Sequence, residues 1–166
     1  TNEEVDFNRT DIDLSIAWGR GKWPGLVAEH LISGYVIAVC SPSLIANGPP
    51  LQEIEDLSQH TLLHESDHRL WHDWLVAAGA GNVTSNKSVT MNDPNVVYQA
   101  AIEGQGIALG ADALLEDEIS QGRLVRLFGR SIELDGSYYL VYSADAGNRP
   151  NTSAFRDWIL SETGQG

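Results

Sequence analysis

Five consecutive residues, His64-Glu65-Ser66-Asp67-His68, spell the letters of a zinc-hydrolase motif. That chemistry needs both histidines on one helical turn, holding the metal, with the glutamate beside them as base. Here His64 and Glu65 close an apolar run, Thr61–Glu65, that reads as a strand. Ser66 or Asp67 then reads as the cap of a helix over Arg69–Ala78. The letters straddle a strand–helix junction, where the two imidazoles do not share a helix face. His72 extends an i, i+4 series from His68 with Asp73 adjacent, a pattern for an incidental surface metal; solvated histidines are the plain alternative. No G-x-S-x-G elbow presents a serine. Gly19, Gly21 and Gly25 lack both the dinucleotide spacing and the Walker lysine-serine pair. Cys40 sits in an apolar run as a small core residue. Nothing assembles a nucleophile, its base and an oxyanion donor, so the expectation is no catalytic residue, no metal and no cofactor.

Residues suited to binding are better grouped. Trp18–Gly25, WGRGKWPG, is a turn cluster in which Trp18 and Trp23 interleave with Arg20 and Lys22. A basic, aromatic loop in an acidic chain invites a ligand; the bland reading is that the two indoles cover a sheet edge. Asn92-Asp93-Pro94-Asn95 opens a helix, with Asn92 or Asp93 as its cap and Pro94 at the first helical position. Such a start carries backbone N–H groups without intrahelical partners and a partial positive charge, where a βαβ unit tends to hold a small anion. Tyr138 and Tyr139 lie side by side on a strand, so one faces each way. Arg20, Lys22, the Asn92–Asn95 helix start and one tyrosine hydroxyl are the expected small-anion pocket.

The elements that must position these groups follow from the pattern. Ser88–Leu109 reads as strand, helix, strand: Val97, Ala100, Ala101 and Gly104 share a helical face, Gly104 suits a left-handed helix end, and Gln105–Leu109 suits a buried parallel strand. Before it come a strand over Ile12–Ala17, strands over Leu26–Leu31 and Tyr35–Cys40 separated by Ser33-Gly34, and a short helix over Ser43–Ala46 capped from Ser41-Pro42. A helix over Glu53–Ser58 turns Ile54 and Leu57 inward. The helix over Arg69–Ala78 has Leu70, Trp71, Trp74, Leu75 and Ala78 on its apolar face. After it come a helix over Asp112–Ser120, a strand over Leu124–Phe128, and strands over Ser131–Leu134 and Ser137–Ser143 around the hairpin-type Asp135-Gly136. A final helix over Thr152–Ser161 places Phe155, Trp158 and Ile159 on one face. Strands alternating with helices predict an α/β fold with mainly parallel sheets.

The 166 residues suit one domain or two small lobes, and 42% hydrophobic content is enough for a core. The formal charge of −13 repels a phosphate backbone, so this segment by itself is not expected to bind nucleic acid. Cys40 is the only cysteine, which excludes an intrachain disulfide and fits a reducing cytoplasm. The longest apolar runs, such as Tyr35–Cys40, are far too short to span a bilayer.

The run from Asp11 to Leu26, DIDLSIAWGRGKWPGL, resembles the effector-binding domain of LysR-type transcriptional regulators, in the branch of the glycine-cleavage activator and the β-lactamase regulator. Val39-Cys40-Ser41-Pro42, Leu62-Leu63-His64, Gln99–Leu109, Gly122-Arg123-Leu124-Val125 and Phe155-Arg156-Asp157-Trp158 match in the same order, across nearly the whole chain. The resemblance implies two Rossmann-like lobes with a cleft between them, as in periplasmic binding proteins, joined by two crossover strands. The first lobe would hold residues 1–40 and 144–166, and the second 41–143. The first lobe would be incomplete, because a full effector domain begins with a further strand and helix before Thr1. The resemblance also implies a small effector, anionic or peptide-like, contacted by Asp93, Pro94 and Asn95 at the helix start, by Tyr138, and by the Trp18–Trp23 loop with Arg20. It further implies a cytoplasmic homodimer or homotetramer that reaches DNA only through a winged-helix domain outside this sequence. The family's usual arginine is Ala17 here, and its usual serines are Pro94 and Asn95. An exported solute-binding protein of a transporter is the rival reading, and a metallohydrolase through His64 and His68 the third.

Overall fold

A computed structural model of the chain describes residues 12–66 and 68–164; readings that fall on 1–11, Asp67 and 165–166 lie outside them. The chain runs β1 (Leu14–Gly19), β2 (Val27–Cys40), α1 (Pro42–Asn47), a 3-10 turn (Ile54–Gln59), β3 (Leu62–Glu65), α2 (Arg69–Ala77) and β4 (Ser88–Met91). It continues through α3 (Pro94–Ile102), β5 (Ala108–Ala111), α4 (Asp112–Ser120), β6 (Val125–Arg126), β7 (Ile132–Tyr142), α5 (Ala144–Gly147) and α6 (Pro150–Glu162). Two compact units result: Tyr35–Leu134 forms one, and the residues up to Gly34 join those from Asp135 onward in the other.

The Tyr35–Leu134 unit is layered because its central strand is apolar on both sides. Along β2, Val36, Ala38 and Cys40 belong to one buried cluster, and Ile37 and Val39 to a second. Period-two alternation sends these neighbours to opposite sheet faces. The first face is covered by Trp71, Trp74 and Leu75 of α2 with Ile54 and Leu57 of the 3-10 turn. The second is covered by Val97 and Ala101 of α3 and Leu115 of α4. The indole N–H of Trp74 donates to the Val36 carbonyl at 3.1 Å, and that of Trp71 to the Leu63 carbonyl at 2.8 Å, so each large ring keeps its one donor satisfied inside the core. Ser41 caps α1 as read, its hydroxyl accepting from the Leu44 N–H.

In the other unit β1 pairs antiparallel with β7, from Leu14 opposite Tyr142 to Gly19 opposite Ser137. Leu31, Leu140 and Tyr142 are its buried centre, and Ile159 and Leu160 of α6 pack on them. The face expected on this last helix is rotated: Phe155 and Trp158 are exposed and pair with each other instead, ring centroids 5.5 Å apart.

Two further expectations are corrected. The sheets are not mainly parallel: β1 pairs antiparallel with β7 and β2 with both β5 and β6, while β3 and β4 form a parallel ladder, extended by a parallel bridge from Leu62 to Ile107. A crossover helix forces parallel neighbours only where it links them directly, as α2 links β3 to β4. Ser33-Gly34 and Asp135-Gly136 do not turn the chain; each lies inside one long strand, β2 and β7. A Cβ on Gly34 would run into the Gly136 carbonyl oxygen, so these glycines serve a close strand approach.

Candidate functional site

The carboxyl edge of the parallel pair is where the Asn92–Asn95 turn lies. Glu65 stands opposite Met91, and the Ser66 N–H donates to the Met91 carbonyl at 2.9 Å. The chain then bends into α3. Asp93 is the cap: its carboxylate accepts from the Asn95 N–H at 2.8 Å, and Pro94 opens the helix. Val97 and Ala101 anchor the helix to the core, leaving Asp93, Asn95 and Val96 in solvent. At the far end Gly104, at φ +74°, donates to Ala101 O, and Gln105 donates to Ala100 O, a left-handed closure of the kind read from the sequence.

The donors at this helix start are not available in the way the sequence suggests. Pro94 has no N–H, that of Asn95 goes to the Asp93 carboxylate, and those of Val96 and Val97 go to the Asp93 carbonyl at 3.1 and 3.2 Å. The first turn is saturated from within, and it carries a negative charge of its own.

The remaining expected contacts, Trp18, Arg20, Trp23 and Tyr138, lie in the other unit, where they form two ring groups and an ion pair. Trp18 meets Tyr138 edge to face at 4.9 Å. Trp23 meets Tyr139 at 5.5 Å, and Tyr139 also meets His30 at 5.4 Å. The two adjacent tyrosines thus serve separate groups. The Arg20 guanidinium pairs with the Asp135 carboxylate, both largely in water. Such a pair contributes little to stability, but it engages the cation that the sequence assigns to a ligand. Asp135 and His30, whose ring nitrogen lies 3.3 Å from the Ser33 hydroxyl, were not foreseen as neighbours of this segment. Their separation along the chain leaves no local pattern to reveal them.

The zinc-like letters fall as the junction reading requires. His64 and Glu65 belong to β3, while His68 precedes the first residue of α2. His68 occupies the cap position without a capping side-chain bond, so Ser66 is not the cap; Asp67 lies outside the described residues. The rings of His64 and His68 lie tilted at 59° to each other with centroids 4.0 Å apart, and His64 is buried. One of these imidazoles is sealed in the core on a strand and the other sits at a helix cap, so they do not present the pair of ligands on one helical face that a helical zinc motif supplies. Burial pushes the Cys40 thiol up to about 12, far from the value of a reactive thiolate.

The chain thus has two α/β units, one with a capped helix at the carboxyl edge of a parallel strand pair, the edge at which α/β folds commonly hold small ligands. The chain belongs to the LysR substrate binding domain family, which it matches over residues 5–164. It is similar to the glycine cleavage system transcriptional activator of Escherichia coli (strain K12), 38% identical over 161 residues that make up 97% of this chain and 53% of that protein. It is also similar to the HTH-type transcriptional activator AmpR of Rhodobacter capsulatus, 31% identical over 99% of this chain and 55% of that one. The chain therefore spans about half the length of the curated relatives it matches. Among solved structures, the effector domain of AmpR of Pseudomonas aeruginosa superimposes with a TM-score of 0.80 at 28% identity, over 99% of this chain and 78% of that one. The AmpR effector binding domain of Citrobacter freundii, at 23% identity and a TM-score of 0.82, covers all of this chain and 82% of its own and shares the fold. The periplasmic-binding-protein-like α/β class expected from the sequence is the one these neighbours share. Both of these relatives are named as transcriptional activators. Among the described residues, no helix is long and apolar enough to cross a membrane.

Proposed function

We propose that this chain is the ligand-sensing part of a bacterial transcription regulator and is itself no enzyme. An effector that favours one arrangement of the domain shifts the population of that arrangement, and with it the geometry of a cytoplasmic homodimer or homotetramer. DNA is reached through a winged-helix segment outside this sequence. The coupling is bounded by the difference in effector affinity between the two arrangements, typically about 1–3 kcal/mol.

The observation that carries this reading is the solvent-facing Asp93-Pro94-Asn95 start of α3 at the carboxyl edge of β3 and β4, in a chain of this family. We assign effector contacts to these three residues and, in the other unit, to Trp18, Arg20, Trp23 and Tyr138. Because the first-turn N–H groups are satisfied internally and Asp93 is a carboxylate, the helix start favours a ligand that offers a donor, an amide N–H or an ammonium group. A peptide-like effector fits this better than a bare anion. Calorimetric titration of the full chain with alanyl-alanine and with succinate separates the two. The expected result is saturable heat with the dipeptide, lost in Asp93→Ala. Preferential binding of succinate, tightened by Asp93→Ala, contradicts it.

A further inference from the structure

Within the Tyr35–Leu134 unit, β4 has one side in use and one side open. Among the described residues it pairs with β3 alone, from Leu62 opposite Ser88 to Glu65 opposite Met91, and the bridge from Leu62 to Ile107 lies on the other side of β3. The Lys87 carbonyl accepts from the Leu62 N–H and the Met91 carbonyl from the Ser66 N–H, both at 2.9 Å. Backbone groups alternate sides along a strand, so Lys87 and Met91 face β3, while Ser88 and Thr90 turn their N–H and C=O groups to the open edge. Ser88, Val89 and Thr90 are all exposed. The ladder has no bulge and the strand no proline, two of the devices that close a natural edge. Opposite charges flank the edge: Lys87 stands just before it and Asp93 two residues beyond it, both exposed.

We propose that the effector is an extended peptide that adds to β4 as a further, antiparallel strand, its amino end at the Asp93 carboxylate and its carboxyl end toward Lys87. The inference rests on the contact assigned to Asp93 above and deepens it. Charge sets the direction, because only an antiparallel peptide brings its ammonium group to Asp93 and its carboxylate to Lys87. Register sets the length. With its first residue opposite Asn92, the peptide places its third opposite Thr90 and its fifth opposite Ser88, each exchanging a pair of N–H to C=O bonds. An extended chain from Lys87 to Asp93 spans about 20 Å, which such a peptide fills. A second copy of this chain is a poorer occupant, since pairing over a strand of 4 residues covers far less than the roughly 1,200–2,000 Å² of a stable protein interface.

Calorimetric titration of the 166-residue chain with alanyl-alanine and with penta-alanine, both with free termini, tests the proposal. Penta-alanine is expected to bind at least about tenfold tighter, the gain that one or two hydrogen bonds of ordinary net strength provide. Thr90→Pro removes an outward N–H and leaves the ladder to β3 intact, as an edge position allows. It is expected to abolish the gain and to leave alanyl-alanine binding unchanged. N-methylation of penta-alanine at its third residue is expected to do the same, and at its fourth, whose N–H points away from β4, to do nothing. If Thr90→Pro loses its far-ultraviolet circular dichroism, the two methylated peptides decide on the parent chain. Equal affinities for the two lengths, or equal effects of the two methylations, overturn strand addition and leave the Asp93 contact standing. No heat from either peptide removes the Asp93 contact and strand addition together. An oligomer in sedimentation that Thr90→Pro dissociates, with penta-alanine binding no tighter than the dipeptide, makes a second copy the occupant and overturns the proposal.

Discussion

Trp18 and Tyr138 stand directly opposite each other on β1 and β7, their rings crossed at 73° with centroids 4.9 Å apart. An edge-to-face pair of this kind contributes about 0.5–1.5 kcal/mol beyond the area it covers. A double-mutant cycle of Trp18→Ala and Tyr138→Ala, followed by urea unfolding, is expected to show a coupling of about 1 kcal/mol. Additive single effects would mean that the rings are neighbours without mutual stabilisation.

Trp74 fills the centre of the Tyr35–Leu134 unit with no exposed surface, and it also ties α2 to β2 through the Val36 carbonyl. Trp74→Ala is expected to destabilise that unit by about 3–5 kcal/mol, through lost burial and the cavity left behind. Trp74→Phe keeps most of the volume and is expected to cost less, chiefly the lost indole N–H bond to the Val36 carbonyl. Denaturant midpoints at equal slope measure both.

Alkaline stability follows from two buried acids. Burial raises the Cys40 thiol from 9.0 to about 12. Burial, and then the bond from the Tyr142 hydroxyl to Glu29 at 2.7 Å, raises the phenol above 10.0. Both groups hold their protons more tightly folded than unfolded. The stability they contribute is therefore complete below the unfolded values and is lost as pH rises through about 9 to 12. Urea unfolding across that range is expected to show a falling midpoint, with a shallower fall in Cys40→Ala.

Asn95→Asp tests the character of the effector. It adds a second carboxylate beside Asp93, in solvent and at the helix start. Calorimetry is expected to show weaker binding of an anionic ligand and unchanged or tighter binding of one that offers an ammonium group. Equal affinity of Asn95→Asp and the parent for both ligand types would remove the helix start from the site.

What the sequence shows and what it hides divide along local and non-local lines. The Asp93 cap, the Ser41 cap, the Gly104 closure and the α2 face built on Trp71, Trp74 and Leu75 are all written within a few residues, and each is found as read. Gly34 and Gly136 are the counterexample. Glycine beside serine or aspartate reads as a turn, yet here it makes room for a tryptophan that belongs to another strand. The antiparallel pairing of β2 with β5 and the Arg20–Asp135 ion pair likewise depend on partners far along the chain. The saturated first turn of α3 was within reach of the sequence, since Asp-Pro both supplies a capping carboxylate and removes a donor.

The central claim is that this acidic domain senses a ligand on behalf of a DNA-binding segment. The most direct test is to read the native gene upstream of Thr1, purify its whole product, and measure its mobility shift on DNA from its own promoter beside that of the 166-residue chain. The account predicts a winged-helix segment upstream, a shift with the whole product, and none with the acidic chain alone. A secretory signal upstream and no shift with either protein would contradict it.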